Sequence, residues 1–442
     1  MVSAMVSKGA AILVLLLSLP WAHAEEAVPL PEPLTLESAL DYATTLRGAV
    51  AWQQQSEVAR LEQRRAELEQ RQAPQLDLEG RLRWRGVTDE GLDPRFDDHR
   101  LALLYRQQLT DFGRTDLSWQ ALDLSEQEVQ LQERQRTYQQ RLEVMQRFFA
   151  VLLADLHNNY LDERLSIAFI RFDRQRERQL LGQSSELEGL RLESAYQQIL
   201  LEKRQAQNDQ RYQRSLLATV LGHTGQLPSE LLMPSLTYPP EQPLPPFDKV
   251  NQLLQQHNLQ LAVVEQQLAV LQRQQLALDR GFGATLHGEA EVADGPAEAE
   301  DGANRWRIGL KLTLPLSDRG QRNAELAVVA AQRAERQSEQ QQLRDRLYNR
   351  ALELWLQLSE LSQQLQASRV HTLYREYYLD NSRANYEMEF QADLGDAMIE
   401  MSVAQKRYLQ TQMALMLAHE ELDALLNGHW RPLLAGSANG NH

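Results

Sequence analysis

One pattern occurs twice in this chain, and its recurrence restricts the fold more than any other feature. Asp111-Phe112-Gly113-Arg114 and Asp318-Arg319-Gly320-Gln321 stand 207 residues apart. Each closes a segment of alternating residues and opens a long stretch without proline. Gly189 and Gly395 are 206 apart. So are the segment ends Leu216-Leu217-Ala218-Thr219-Val220-Leu221-Gly222 and Leu422-Asp423-Ala424-Leu425-Leu426-Asn427-Gly428. The chain therefore repeats one unit, extended segment first and helical segment second.

The extended segments show the period of two expected of strands. From Pro74 to Gly86, Leu76, Leu78, Leu82 and Trp84 fall on one face, and Asp77, Glu79, Arg81 and Arg83 on the other. An acidic, turn-rich loop follows, and then Leu101, Leu103 and Tyr105 alternate with Ala102, Leu104 and Arg106. In the second copy, Phe282, Ala284 and Leu286 alternate within Gly281 to Val292. Its return strand sets Trp306, Ile308, Leu310, Leu312 and Leu314 against Arg305, Arg307, Gly309, Lys311 and Thr313. Two β-hairpins are expected, at about 74–110 and 281–316. The Asp and Gly at each exit suit a turn that redirects a strand into a helix.

Each helical stretch carries a seam. Leu117, Ala121, Leu124, Leu131, Tyr138, Leu142, Met145, Phe149, Leu152 and Leu156 keep a three-four spacing, interrupted by Glu128 and Gln135. Leu347, Ala351, Leu354, Leu358, Leu361 and Leu365 do the same in the second copy. Such heptad-like stripes pack helices against helices. No proline lies between Pro94 and Pro228, or between Pro315 and Pro432. At ~1.5 Å per residue each helix reaches on the order of 100 Å. Turns at Gly182-Gln183-Ser184-Ser185 and at Phe390 to Gly395 return each stretch as a second helix, making long helical hairpins at about 114–222 and 320–428. Each copy also opens with a shorter helix: one from Leu34, with Thr35 as its N-cap, the other from Phe247 to Leu261.

Residues 1–24 resemble an export signal. Lys8 precedes an apolar run from Ala10 to Leu19, and Ala22-His23-Ala24 is a small-x-small cleavage site. The run is too short to cross a membrane as an anchor. The expected order is thus signal 1–24, first repeat 25–238, proline-rich linker 239–246, second repeat 247–428 and flexible tail 429–442.

The sequence has no cysteine, so disulfides do not hold the fold. Its 46 basic and 61 acidic residues leave a net charge of -15, which argues against nucleic acid as a partner. A mean hydropathy of -0.51 suits long one-sided helices. The ten histidines include no HExxH and no metal-spaced cluster, and no phosphate loop or nucleophile elbow is present. No enzyme activity and no cofactor are expected.

Strands of about 10 residues can cross an outer membrane when tilted. Four strands cannot close a barrel, and lipid does not tolerate open edges, so several chains must pool their strands. Leu76, Leu78, Leu82, Trp84, Leu101, Leu103, Tyr105, Trp306, Ile308, Leu310 and Leu312 would then face lipid. Arg81, Arg83, Arg106, Arg305, Arg307 and Lys311 would face the lumen. The competing reading is a water-soluble sheet packed against helices.

The chain resembles the TolC family of outer-membrane efflux channel proteins over nearly its whole mature length. The resemblance rests on Leu34-Thr35-Leu36-Glu37-Ser38-Ala39-Leu40, the two strand exits, the two helix ends, and Ala392-Asp393-Leu394-Gly395-Asp396-Ala397-Met398. It implies a mainly α fold with a small transmembrane β part. In a homotrimer, 12 strands would form a β-barrel and 12 helices an α-barrel. It also implies an outer-membrane location with a long periplasmic extension, and as partners outer-membrane lipid, a periplasmic adaptor protein and an inner-membrane transporter. Tyr386 matches the family's gate tyrosine and Asp396 its first ring aspartate, with Asp393 and Glu400 as further acidic-ring candidates. The second ring aspartate falls on Ile399, and the gate arginine on Gln391 or Ala392. These departures point to a hydrogen-bonded or looser closure. For the three carboxylates, a solvated helix start is the plain alternative. A periplasmic adaptor and a structural coiled-coil protein are the alternative functions. The cargo, whether drug, metal or protein, is not encoded in any of these features.

Overall fold

The computed structural model describes residues 30–45, 49–82, 84–85, 96–97, 100–223, 230–234, 244–294, 306–317, 319–388 and 394–438. The signal, the linker before residue 244, and Arg83, Arg305, Asp318, Phe390, Gln391, Ala392 and Asp393 lie outside them.

The first repeat consists of α1 (Leu36–Thr45), α2 (Ala49–Gln72), β1 (Gln75–Arg81), the short β2 (Trp84–Arg85) and β3 (Phe96–Asp97), β4 (Arg100–Thr110), α3 (Arg114–Leu180) and α4 (Glu186–Val220). The second has α5 (Phe247–His257), α6 (Leu259–Asp279), β5 (Thr285–Asp294), β6 (Trp306–Thr313), α7 (Gln321–Glu387) and α8 (Leu394–Leu425). A last helix, α9 (Trp430–Ala438), follows. Both α3 and α7 run for 67 residues, about 100 Å of helix each.

The four long strands form one antiparallel sheet in the order β1-β4-β5-β6. Leu103 pairs with Leu78 on one side and Val292 on the other, and Val292 with Trp306. The centre of the sheet is therefore β4-β5, where the repeats meet. Within the described sheet, β1 and β6 each have one unpaired edge.

Both strand-to-helix exits use the same backbone device. Phe112 and Gly113 have φ of 60° and 89°, and Arg319 and Gly320 have 55° and 86°. Two successive left-handed residues turn the chain sharply, and glycine takes the second place without Cβ strain. In the first copy the buried Asp111 carboxylate accepts from the Thr115 amide at 2.9 Å and from its hydroxyl at 2.6 Å. Thr35 accepts from the Ser38 amide and starts α1. Helix α3 stops at a left-handed Gly182, where the Gly182 and Gln183 amides bond back to Gln179 and Arg178. Ser185 then caps α4 by accepting from the Glu188 amide.

Two cores sit midway along the molecule at equivalent places in the repeats. One joins Leu34, Leu36, Ala39 and Ala43 to Val144, Met145, Phe148, Phe149 and Leu152 of α3 and Leu217 of α4. The other joins Val250 and Leu254 to Leu347, Ala351, Leu354 and Leu358 of α7 and Leu415, Ala418 and Leu422 of α8. Each fully buried leucine contributes about 1.5–3 kcal/mol by leaving water. Toward the hairpin ends, α3 packs on α4 and α8, and α8 on α7. Toward the sheet, α3 packs on α2 and α6, and α6 on α7.

Four expectations need correction. Residues 280–283 form a 3-10 turn, so Phe282 precedes β5 instead of lying in it. Strands β1 and β6 have 7 and 8 residues, shorter than the alternation suggests, because a strand ends where its hydrogen-bond partner does. The helix expected over 247–261 breaks at Asn258. There the side-chain oxygen caps α6 at Leu261 (3.1 Å) and the side-chain nitrogen donates to the Leu425 carbonyl (3.0 Å). The tail from 429, expected to be flexible, instead holds α9. Trp430 is wholly buried in the second core, and its indole N–H donates to Nδ1 of His419 at 2.8 Å.

Candidate functional site: a two-faced sheet and a polar hairpin seam

The sheet carries opposite chemistry on its two faces. One face presents Leu76, Leu78, Leu82, Leu101, Leu103, Tyr105, Trp306, Ile308, Leu310 and Leu312, all exposed, with Ile308 at 78%. The register aligns them across strands: Leu76 with Tyr105, Leu78 with Leu103, Ala290 with Ile308 and Gly288 with Leu310. Among the described residues no helix covers them. An open row of large apolar side chains this long marks a surface that meets something other than water. Trp84 lies in β2.

The other face is charged and internally paired. Glu289 of β5 meets Arg106 of β4 at 3.1 Å and Lys311 of β6 at 3.7 Å. Glu291 pairs with Arg100 and, at 2.6 Å, with Arg307. Arg81 stands opposite Arg100. Three of the expected cationic positions thus converge on two glutamates. Sequence reasoning passed over Glu289, Glu291 and Arg100, although the alternation Glu289-Ala290-Glu291-Val292 carries the signal.

The hairpin ends form the second region. Tyr386 is exposed on the last turn of α7. Asp396 lies in the first turn of α8, where a carboxylate also favours the helix dipole. It pairs with Arg171 of α3 at 2.7 Å, joining the two repeats. Glu400, one turn on, pairs with Arg375 of its own hairpin at 3.2 Å. Gly395 packs so closely on Ile167 that a Cβ there would meet its Cγ2 at 3.1 Å. Further along the same seam, Ser402 donates to Glu163, and the Lys406 ammonium donates to Nδ1 of His157 at 3.1 Å. Burial, then Lys406, holds the His157 ring below its ordinary pKa, and burial lowers that of Lys406. The hairpin ends thus carry a charge pair between the two repeats, Arg171 with Asp396. No single-helix periodicity could show that partner.

Among the described residues, no cluster of three or more His, Asp or Glu side chains could hold a metal. No described helix is long and apolar enough to cross a membrane.

Solved structures decide the fold. The chain aligns with CusC at a TM-score of 0.68 and 17% identity, covering 88% of this chain and 91% of that one. With the Campylobacter jejuni CmeC outer membrane channel the TM-score is 0.71 at 13% identity, covering 89% and 85%. The fold is that of these outer-membrane channels. The Neisseria gonorrhoeae MtrE outer membrane channel, solved in its open state, aligns at 0.60 and 15%, covering 89% of each chain. No sequence-family model matches the chain, and no curated protein sequence does.

Proposed function

We propose that this chain is the outer-membrane channel subunit of a tripartite efflux or type I secretion system. Three copies would close edge to edge into one passive duct. The observation that carries this reading is the agreement of the free edges. The sheet ends at β1 and β6, the helix layer beside it at α2 and α7, and the layer beyond at α4 and α7. A rotation that brings β6 of one copy to β1 of the next therefore also brings α7 to α2 and α4. Heterologous contacts of this kind close into a ring when the rotation divides a full turn, as three copies at ~120° do. Closure leaves no strand edge in lipid. Leu76, Leu78, Leu101, Leu103, Tyr105, Trp306, Ile308, Leu310 and Leu312 then face hydrocarbon, while Arg81, Arg106, Arg307 and Lys311 face the lumen.

The far ends of the hairpins are the periplasmic gate in this reading. Arg171–Asp396 holds α8 to α3 when the duct is closed, Tyr386 stands beside the opening, and Asp393, Asp396 and Glu400 form acidic rings that concentrate cations. The hairpin ends also receive a periplasmic adaptor, which couples the duct to an inner-membrane transporter. Heat-modifiable trimers in the outer-membrane fraction are expected, with cation-selective conductance that falls in an Asp393→Asn, Asp396→Asn protein. A soluble periplasmic product would sink the channel reading, and unchanged selectivity would remove the rings from it.

A further inference from the structure

The seam between the hairpins differs from the contacts inside them. Within a hairpin, α7 and α8 bury Leu358, Leu361, Ala397 and Ala404. Between the hairpins, α3 meets α8 through Arg171–Asp396, Glu163–Ser402 and His157–Lys406, with Ile167 against Gly395. Midway along the molecule Met413 of α8 is buried in the first core and anchors this seam. Toward the hairpin ends its side-chain contacts are the polar ones, with Ile167 on Gly395, so those contacts decide whether the ends part.

Of these contacts only the one at His157 involves a histidine, the side chain whose ordinary pKa lies nearest neutrality. Lys406 has three donors and no acceptor, so Nδ1 of His157 must carry the lone pair that receives its proton. The ammonium also lies 5.4 Å from the centre of the Tyr160 ring, an attractive cation–π distance. No carboxylate among the described residues pairs with Lys406. The charged groups facing His157 come from all three packed helices: Arg164 on α3, Glu202 and Asp209 on α4, and Lys406 on α8. Glu202 is engaged by Arg164 at 2.8 Å. The two carboxylates favour a protonated ring, but burial and Lys406 outweigh them, so the neutral ring belongs to the closed seam.

We propose that His157 makes this seam acid-labile: protonating its ring replaces the Lys406 hydrogen bond with a contact between two cations, and α8 leaves α3. The sign follows from the lowered pKa. The contact holds fully above the ordinary histidine value and weakens as pH falls through and below it. Acid in the periplasm would then favour the open hairpin arrangement. The inference rests on the gate reading above only for its consequence, not for its geometry.

The chain has no cysteine, so spin labels go cleanly onto Arg178→Cys of α3 and Gln405→Cys of α8, both exposed positions. Distances are read in full-length reconstituted protein between pH 7.5 and about 5, a range that spans histidine titration. The long-distance population should rise several-fold on acidification. It should stay flat in His157→Asn, which keeps an acceptor but does not titrate, and in Lys406→Met, which removes the second cation. An equal acid response in His157→Asn, or none in the parent protein, overturns the proposal. Conductance recorded on the same samples separates the two readings. A His157-dependent distance change without a conductance change supports the acid-labile seam and rejects the gate.

Discussion

At Gly395 a single absent carbon sets how closely the hairpins approach. A Cβ would lie 3.1 Å and 3.3 Å from Cγ2 and Cδ1 of Ile167, both on a branched side chain in a packed seam. Its counterpart Gly189 would meet only the flexible amide end of Gln179, within its own hairpin. Gly395→Ala is therefore expected to wedge α8 from α3 and raise open probability in single-channel records, while Gly189→Ala leaves it unchanged. Equal behaviour of the two variants would contradict this asymmetry. His419 gives a second residue-scale expectation. Burial, then Arg431, lowers its pKa to about 4, and the neutral ring accepts the Trp430 indole N–H. Stability from this neutral ring is complete above pH 6.5 and is lost as pH falls toward about 4, because the unfolded chain takes up the proton first. A shift of this size corresponds to about 3 kcal/mol. Hydrogen exchange of α9 amides should accelerate over that range, and His419→Asn should flatten the dependence.

The sheet shows why an element can be legible in sequence while its limits are not. The alternation over 306–313 placed Trp306, Ile308, Leu310 and Leu312 on one face, and the register agrees. Alternation continues through Phe282 and Ala284, yet the chain there makes a 3-10 turn, because β6 offers pairing only from Thr285 onward. The two faces should respond oppositely to substitution. Ile308→Arg places a charge on the face read as lipid-exposed, at a cost of about 2–4 kcal/mol per copy at mid-depth. It is expected to remove trimers from the outer-membrane fraction. Arg307→Gln, one residue away, gives up one of two cations around Glu291 and should leave membrane assembly intact. Loss of both proteins from the membrane would refute the assignment of faces. The helices carry the same lesson. The α7 seam Leu347, Ala351, Leu354, Leu358 and Leu361 is buried as its spacing predicts. Helix α3 buries a second stripe, with Val144, Phe148, Val151 and Leu161, because it packs on α1, α4, α6 and α8.

At the scale of the whole molecule, the repeats are alike in elements and unlike in contacts. Both cores lie midway, where α1 or α5 adds a third layer to a helical hairpin. Beyond that level each hairpin has only its neighbours, and the hairpin ends carry exposed Leu180, Leu181 and Leu187 in the first repeat against Asp396 and Glu400 in the second. A buried middle and polar hairpin ends are the arrangement that the proposed gate would use. The free edges on every level face the same way, so one rotation satisfies all of them together. The number of copies follows from the resemblance rather than from the edges themselves.

The sequence alone determined the duplication, the two β-hairpins, the two long helical hairpins and the exits at Gly113 and Gly320. Each of these is encoded by local periodicity or by a residue with a special backbone preference. Only the tertiary structure decided which partners meet between elements: Arg171 with Asp396, His157 with Lys406, Glu289 between Arg106 and Lys311, and Trp430 with His419. Those pairs are 11 to 249 residues apart. They arise from how helices and strands lie beside one another, which no single-element spacing records. The Gly182 stop was readable because left-handed backbone selects glycine. The break at Asn258 was not, because its reason is a hydrogen bond to Leu425 in another helix.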